Sequence, residues 1–473
     1  IDYVYWAAPT KLFNVANLPA GYRYQWNPTK TNPNGTQGNW ITPTTAQMVD
    51  GKGYIARTFN GSATPTTLPF TFSGKPNNGT INVAIARGNY TGDGITTGLD
   101  YDAEPANANN VLTTRWDDNW NLVGNPYPSA IKALDFLTAN TNIEGFVNIW
   151  THLTPPNSST DPFYYNFGYN YTPADYITYN GTGTVGGPTG FNGKIASGQG
   201  FFVLMNEGAA ATGSIFFNNA MRSDITNKLN YDNSQFYRTT TLENVDGEEK
   251  NRIWLDIVAQ NDQMDRTLVG YVANATDGTD RLYDAVTKAA GLKIYSFAED
   301  NPIQPLCIQG KGLPFNQEDT VKIGYRVGTI GTYKIAIGAV DGLFTANQTI
   351  YLEDKLLNVI HDLRTAPYTF ATQKGIFNDR FVLRYTTAAL GTADFENANQ
   401  VIVSTNQSQI QIASQIENIR QVQVFDMLGR EIYAMDNLDT LNYSISNIAK
   451  NQALIIKIKL NNGSLISKKI IVK

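Results

Sequence analysis

Apolar residues in this chain come in short runs, most of them alternating with polar ones, and a cluster of Gly, Asn or Pro ends each run before it reaches helical length. Tyr3-Val4-Tyr5-Trp6, Gly53-Tyr54-Ile55-Ala56-Arg57, Thr80-Ile81-Asn82-Val83-Ala84-Ile85 and Gly200-Phe201-Phe202-Val203-Leu204 are of this kind, and Asn32-Pro33-Asn34-Gly35 and Lys75-Pro76-Asn77-Asn78-Gly79 divide them. Side chains on a strand alternate between two faces, whereas a helix needs apolar positions three and four apart. The spacing therefore predicts an all-β chain. The 26 Tyr, 22 Phe and 40 Gly suit pleated surfaces and tight turns. One short helix is expected, with Ser129 capping Ala130 to Leu137.

The alternation changes along the chain. Residues 1–220 are rich in aromatics, Gly and Asn, and residues 221–250 are more polar. Longer alternating runs follow in 251–387, such as Arg252-Ile253-Trp254-Leu255-Asp256-Ile257-Val258. Residues 388–396 hold few bulky apolar side chains, and about six further alternating runs fill 397–473. The expectation is two β-sandwich domains of jelly-roll or immunoglobulin-like type, at 1–220 and 251–387, then a linker and a small immunoglobulin-like sandwich at 397–473.

Charged residues make up only 16% of the 473, and the net charge is −5. That balance gives no patch of the kind that binds nucleic acid. It is uneven, however: residues 451–473 carry five lysines and no Asp or Glu. Cys307 is the single cysteine, so no internal disulfide can form; its apolar neighbours predict a buried thiol. No run is long and apolar enough for a membrane-spanning helix. Ile1-Asp2-Tyr3 has no leader character, so a leader for export is expected upstream of it.

Near the C-terminus, Val424-Phe425-Asp426-Met427-Leu428-Gly429-Arg430-Glu431-Ile432-Tyr433 reads as strand, turn and return strand. Gly429 can supply a positive φ, and Asp426 can accept from turn amides while Arg430 pairs back to it. A strand at Leu454–Lys459 follows, then a turn at Asn461-Asn462-Gly463 and a last strand containing Lys468-Lys469-Ile470-Ile471-Val472-Lys473. This order resembles the type A C-terminal sorting domain of the type IX secretion system of Bacteroidota. Phe425, Asp426, Gly429 and Arg430 match that family's aromatic-Asp-x-x-Gly-Arg motif, and Lys468 to Lys473 match its terminal strand. Gln452 and Leu454 depart from the Gly and Tyr usual before the penultimate strand.

The resemblance implies a cell-surface protein of the outer membrane, exported through the periplasm by the type IX translocon. It implies docking of 397–473 on an outer-membrane shuttle β-barrel protein through Asp426, Gly429, Arg430, Gly463, Lys468, Lys469 and Lys473. It further implies removal of the tail by a sortase-like surface peptidase, which joins the cargo to anionic lipopolysaccharide. Upstream, Asp2 to Pro9, Gly51 to Ile55, Trp120 to Ala130 and Gly198 to Val203 resemble a module found before such sorting domains in large flavobacterial surface proteins. That resemblance implies a structural or adhesive role; the aromatics between Trp116 and Tyr171, in Asn-rich sequence, make surface glycans candidate ligands.

Other residues suggest chemistry less directly. Trp116, Trp120, Tyr164, Tyr165, Tyr169 and Tyr171 lie in Asn-rich surroundings suited to sugars or peptides, although aromatics more often pack in cores. Asp100, Asp102 and Glu104 alternate in a loop and could ligate Ca²⁺; so could Asp277, Asp280 and Asp284, although loop carboxylates more often cap turns. His152 and His361 are the only histidines, and no motif around them or Cys307 supports nucleophilic catalysis. The expectation is therefore a non-enzymatic surface protein with no cofactor beyond a candidate Ca²⁺. The alternative is the C-terminal accessory region of a surface polysaccharide-degrading enzyme whose catalytic domain lies upstream.

Overall fold

The computed structural model describes residues 3–19, 21–31, 37–57, 69–88, 119–151, 175–186, 191–208, 210–222, 249–287, 291–387, 401–406, 409–415, 417–426, 430–446, 452–461 and 465–472. The chain is all-β. It divides into two compact units, Ile1–Tyr385 and Thr386–Lys473. Among the described residues no helix is long and apolar enough to cross a membrane.

The first unit begins with β1 (Tyr3–Trp6), β2 (Arg23–Thr31), β3 (Gln37–Ile41), β4 (Tyr54–Arg57) and β5 (Ile81–Ala86). It continues with β6 (Trp120–Gly124), β7 (Ile131–Lys132), the helix α1 (Ala133–Ala139), β8 (Ile143–Trp150) and β9 (Tyr176–Tyr179). Then come β10 (Thr184–Val185), β11 (Lys194–Ile195), β12 (Gly200–Met205) and β13 (Thr212–Phe217). Strands β1-β4-β2-β3 form one sheet, β10-β9-β8-β12-β6 a second, and β5 pairs with β13. All of β12 is buried, as a central strand covered on both faces must be.

Helix α1 starts later than the sequence predicts. Ile131 and Lys132 are drawn into pairing with β11, and the cap position falls on Lys132, whose side chain makes no capping bond. Ser129 instead accepts a hydrogen bond from Arg222 Nε at 2.8 Å.

The remainder of this unit holds β14 (Lys250–Ala259), β15 (Met264–Val272), β16 (Ala285–Val286), β17 (Lys293–Ala298), β18 (Asn301–Gly312) and β19 (Thr320–Val327). It ends with β20 (Gly331–Val340), β21 (Tyr351–Asp354), β22 (Val359–Asp362), β23 (Tyr368–Thr372) and β24 (Gly375–Arg384). These strands form one sheet in the order β22-β21-β24-β19-β17-β18-β15-β14-β20-β23, with β16 beside β18. The sheet curls until its two ends meet around a shared core. Tyr368 on β23 donates to Asp354 on β21 at 2.8 Å, and Arg380 on β24 donates to the Ala371 carbonyl on β23 at 3.0 Å.

The sequence reading places a polar connector at 221–250, of which 223–248 lie outside the described residues. The stretches on either side of it pack on one another within the same unit. Phe146, Val185 and Leu204 share a core cluster with Trp254, Leu268, Ala285, Cys307 and Ile308. The Trp254 indole donates to the Thr184 carbonyl at 2.8 Å, and Arg252 reaches the Thr182 carbonyl at 3.1 Å. The turn 280–284 is wedged into the same junction. Arg281 donates to the carbonyls of Leu137, Asn140 and Ile143, capping the end of α1. Gly145 faces the Arg281 backbone so closely that a Cβ would overlap its carbonyl oxygen.

The second unit contains β25 (Val401–Asn406), β26 (Gln409–Ser414), β27 (Ile419–Asp426), β28 (Glu431–Met435), β29 (Asn442–Ile445), β30 (Gln452–Leu460) and β31 (Leu465–Val472). Strands β25-β26-β29 form one sheet and β28-β27-β30-β31 the other. Alternate residues Leu454, Ile456, Ile458 and Leu460 point into a core shared with Val401, Ile412 and Val424. The unit is thus a small sandwich with an apolar interior of its own.

Candidate functional site

The β27–β28 hairpin holds the clearest local geometry in the second unit. Asp426 Oδ1 accepts the Arg430 backbone amide at 3.0 Å, and Oδ2 accepts Arg430 Nε at 2.7 Å. The Asp426 amide donates back to the Arg430 carbonyl at 3.0 Å. One carboxylate therefore clamps both ends of the turn. The Arg430 side chain remains 75% exposed, so its remaining guanidinium nitrogens face solvent. Gly429, between them, lies outside the described residues.

Strand β31 closes one edge of its sheet, pairing with β30 alone among the described strands. Its two matched lysines point to opposite faces. Lys468 stands opposite buried Ile456 on the core side and is half-buried, whereas Lys469 stands opposite Ile455 and is exposed. An inward-pointing lysine on an edge strand hinders pairing with further strands. Gly463 and Lys473 lie outside the described residues.

Of the candidate ligand-binding aromatics, Trp116, Tyr164, Tyr165, Tyr169 and Tyr171 lie outside the described residues. Trp120 is described, and it belongs to a ring cluster that sequence reading missed. Phe202 packs edge-on against Trp26, Trp40 and Trp120 with centroids 5.2, 6.2 and 6.3 Å away. Tyr5 stacks on Trp150 and shares a 2.7 Å hydroxyl bond with Tyr176. Burial pushes the Tyr176 hydroxyl well above its ordinary pKa, countered by that bond. The Trp26 indole donates to the Trp120 backbone carbonyl at 2.7 Å, which fixes the Trp26 ring against β6. The sequence puts Tyr5 and Phe202 in strand-like apolar runs but does not say what they face, and it gave no sign of Trp26 and Trp40.

Asp100, Asp102 and Glu104 lie outside the described residues. Among the described residues no cluster of His, Cys, Asp and Glu is arranged to hold a metal ion. The acidic loop at 277–284 is instead knitted to backbone. Asp280 accepts the Thr276 amide, while Asp284 accepts the amides of Asp280 at 2.6 Å and Gly310 at 2.9 Å. Burial pushes the Asp284 carboxyl up to about 7, against the pull of those two amides. Asp277 pairs with Lys311, an amine buried in the fold that also reaches Asp319. Cys307 is buried, with its sulfur against the Ala285 and Val286 carbonyls, and a His361 ring nitrogen is bonded to the Ala366 carbonyl. His152 lies outside the described residues.

Two families match this chain. One, described as a domain of unknown function (DUF8694), covers residues 390–472. The other, described as a domain of unknown function (DUF8693), covers residues 1–385. The first therefore falls within the small sandwich, and the second coincides with the larger unit. No curated protein matches the chain. With its family matched over residues 1–385, the chain belongs to the DUF8693 family.

Proposed function

We propose that this is an exported cell-surface protein in which residues 397–473 act as a type IX sorting domain. The larger unit is then the displayed structural or adhesive module. The observation that carries the reading is the small sandwich, with its own core, a hairpin clamped by Asp426 and Arg430, and a lysine-bearing last strand at the sheet edge. A sorting domain must fold independently of its cargo and present an invariant surface to a shared carrier. A separate core meets the first requirement. A turn held by three short bonds and an edge strand with fixed inward and outward lysines meet the second. In this reading the partners are the type IX translocon, the shuttle barrel and the sortase-like peptidase, and the chain itself catalyses nothing.

The test is a fusion of residues 386–473 to a fluorescent protein in a bacterium with a type IX system. The intact fusion should reach the surface or medium. A Lys468→Ala/Lys469→Ala variant, and separately Asp426→Ala, should accumulate in the periplasm. Periplasmic retention of the intact fusion, or equal export of all forms, overturns the reading.

A further inference from the structure

The outer face of the β28-β27-β30-β31 sheet gathers positive charge. Lys457 and Lys459 lie two residues apart on β30, about 7 Å along the strand, on the face opposite the buried Ile456 and Ile458. Lys469 on β31 stands opposite Ile455, which places it diagonally from Lys457, again roughly 7 Å away. A fourth cation comes from a bulge: Ile419 and Gln421 pair with consecutive residues of β30, so the extra residue, Arg420, is turned out to solvent.

The same face offers little to neutralise these charges. Among the described residues, none of Arg420, Lys457, Lys459 and Lys469 has an ion-pair partner. Glu431 is hydrogen-bonded by Gln423 at 2.7 Å, Asp426 is taken by Arg430, and exposed Asp436 lies just past the end of β28. The Lys457 ammonium sits 5.1 Å over the Phe425 ring, so this aromatic face is covered by a cation. Gln421 and Gln423 add amide donors beside the lysines.

We infer that this sheet face binds a linear polyanion, a sulfated or phosphorylated glycan chain. Cations without ion-pair partners, about 7 Å apart along β30 and across to β31 and flanked by amides, match fixed charges repeating along a polymer. A protein partner would call instead for a bare aromatic anchor in an apolar centre, and here the Phe425 ring, the one ring of this face among the described residues, is occupied by Lys457. The surface shares Lys469 with the last strand invoked for sorting, but Arg420, Lys457 and Lys459 lie outside the sorting residues, so a test on Lys457 and Lys459 stands without that reading.

The experiment uses the full chain and measures binding of dextran sulfate, inorganic polyphosphate, neutral dextran and poly-glutamate by calorimetry or fluorescence anisotropy. Binding of either the sulfated or the phosphorylated polymer, but not neutral dextran, is expected, and whichever binds more tightly names the source. Lys457→Gln/Lys459→Gln should weaken it about tenfold, as for two exposed charge pairs, while Lys355→Gln in the first unit leaves it unchanged. Raising the salt should abolish it. Far-UV circular dichroism identical to the parent would show that the variant is folded. No polyanion binding, undiminished binding by the folded double variant, or tighter binding of poly-glutamate than of both other polyanions each overturns the inference. Export of the double variant's tail fusion at the parental level would separate a failure here from a failure of the sorting role.

Discussion

Asp354→Asn tests whether the curled sheet of the first unit is held at its seam. The Asp354 carboxylate is fully buried, at 0% exposure. Its Oδ2 accepts Arg380 Nη2 and the Tyr368 hydroxyl, both at 2.8 Å, and its Oδ1 accepts the Leu356 amide at 3.0 Å and Arg380 Nε at 3.1 Å. The Arg380 guanidinium also lies 5.0 Å from the ring centroids of both Phe370 and Phe381. An asparagine keeps the shape and loses the charge. Whichever way its amide points, an NH₂ group faces a donor, either the guanidinium or the turn amides. Removing one partner of a buried ion pair costs about 3–5 kcal/mol, because the other charge is left uncompensated. The tyrosine bond alone is a hydrogen bond to a charged group, so Tyr368→Phe should cost roughly 1.5–3 kcal/mol. Replacing both charges with apolar residues, Asp354→Leu/Arg380→Met, should cost clearly less than the sum of the single changes.

The assay is urea unfolding followed by tryptophan fluorescence. All 7 tryptophans precede residue 385, so the signal reports the first unit alone. Burial disfavours the ionised Asp354, but Arg380 and Tyr368 outweigh it and hold the carboxyl below the usual range. A lowered folded pKa contributes stability above the unfolded value, which is lost as pH falls through the folded one. The parent should therefore lose stability more steeply than Asp354→Asn below about pH 4. A cost under about 1 kcal/mol for Asp354→Asn, with additive double changes, would refute the seam.

Asp284 should show the opposite pH dependence. Its carboxyl is raised to about 7, so its contribution is full below about pH 4 and lost as pH rises through 7; unfolding midpoints of the parent should fall across that window, and those of Asp284→Asn should stay flatter. Gly145→Ala should destabilise the first unit by about 3 kcal/mol or more, since the new methyl meets Arg281 backbone rather than a side chain that can move; an unfolding midpoint within error of the parent would contradict the wedge at the junction.

What the sequence made legible follows from where each interaction sits along the chain. The strand at 252–258 was readable because period-two alternation is local, and it is β14. Asp426 and Arg430 could be paired in advance because they are four residues apart across one turn. Cys307 announced its burial through its neighbours. Asp354, Tyr368 and Arg380 gave no such sign. Alternation marks a polar residue as belonging to the wet face, and nothing local tells that an aspartate and an arginine instead turn inward to neutralise one another. Lys311 was hidden for the same reason, its amine at 1% exposure compensated by carboxylates from other segments.

The cap of α1 failed by a related route. Ser129 is a good N-cap on local grounds, but pairing of Ile131 and Lys132 with β11, about sixty residues away, decided where the helix could begin. The aromatic cluster reverses the emphasis once more. Tyr164, Tyr165, Tyr169 and Tyr171 drew attention because their sequence neighbours are polar, whereas the rings that pack around Phe202 come from strands of two sheets. Sequence reading is thus strongest where geometry is set within a turn or a strand. It is weakest where a polar group is buried by a partner elsewhere in the chain, and it is there, at the seam and the junction, that single substitutions should be most costly.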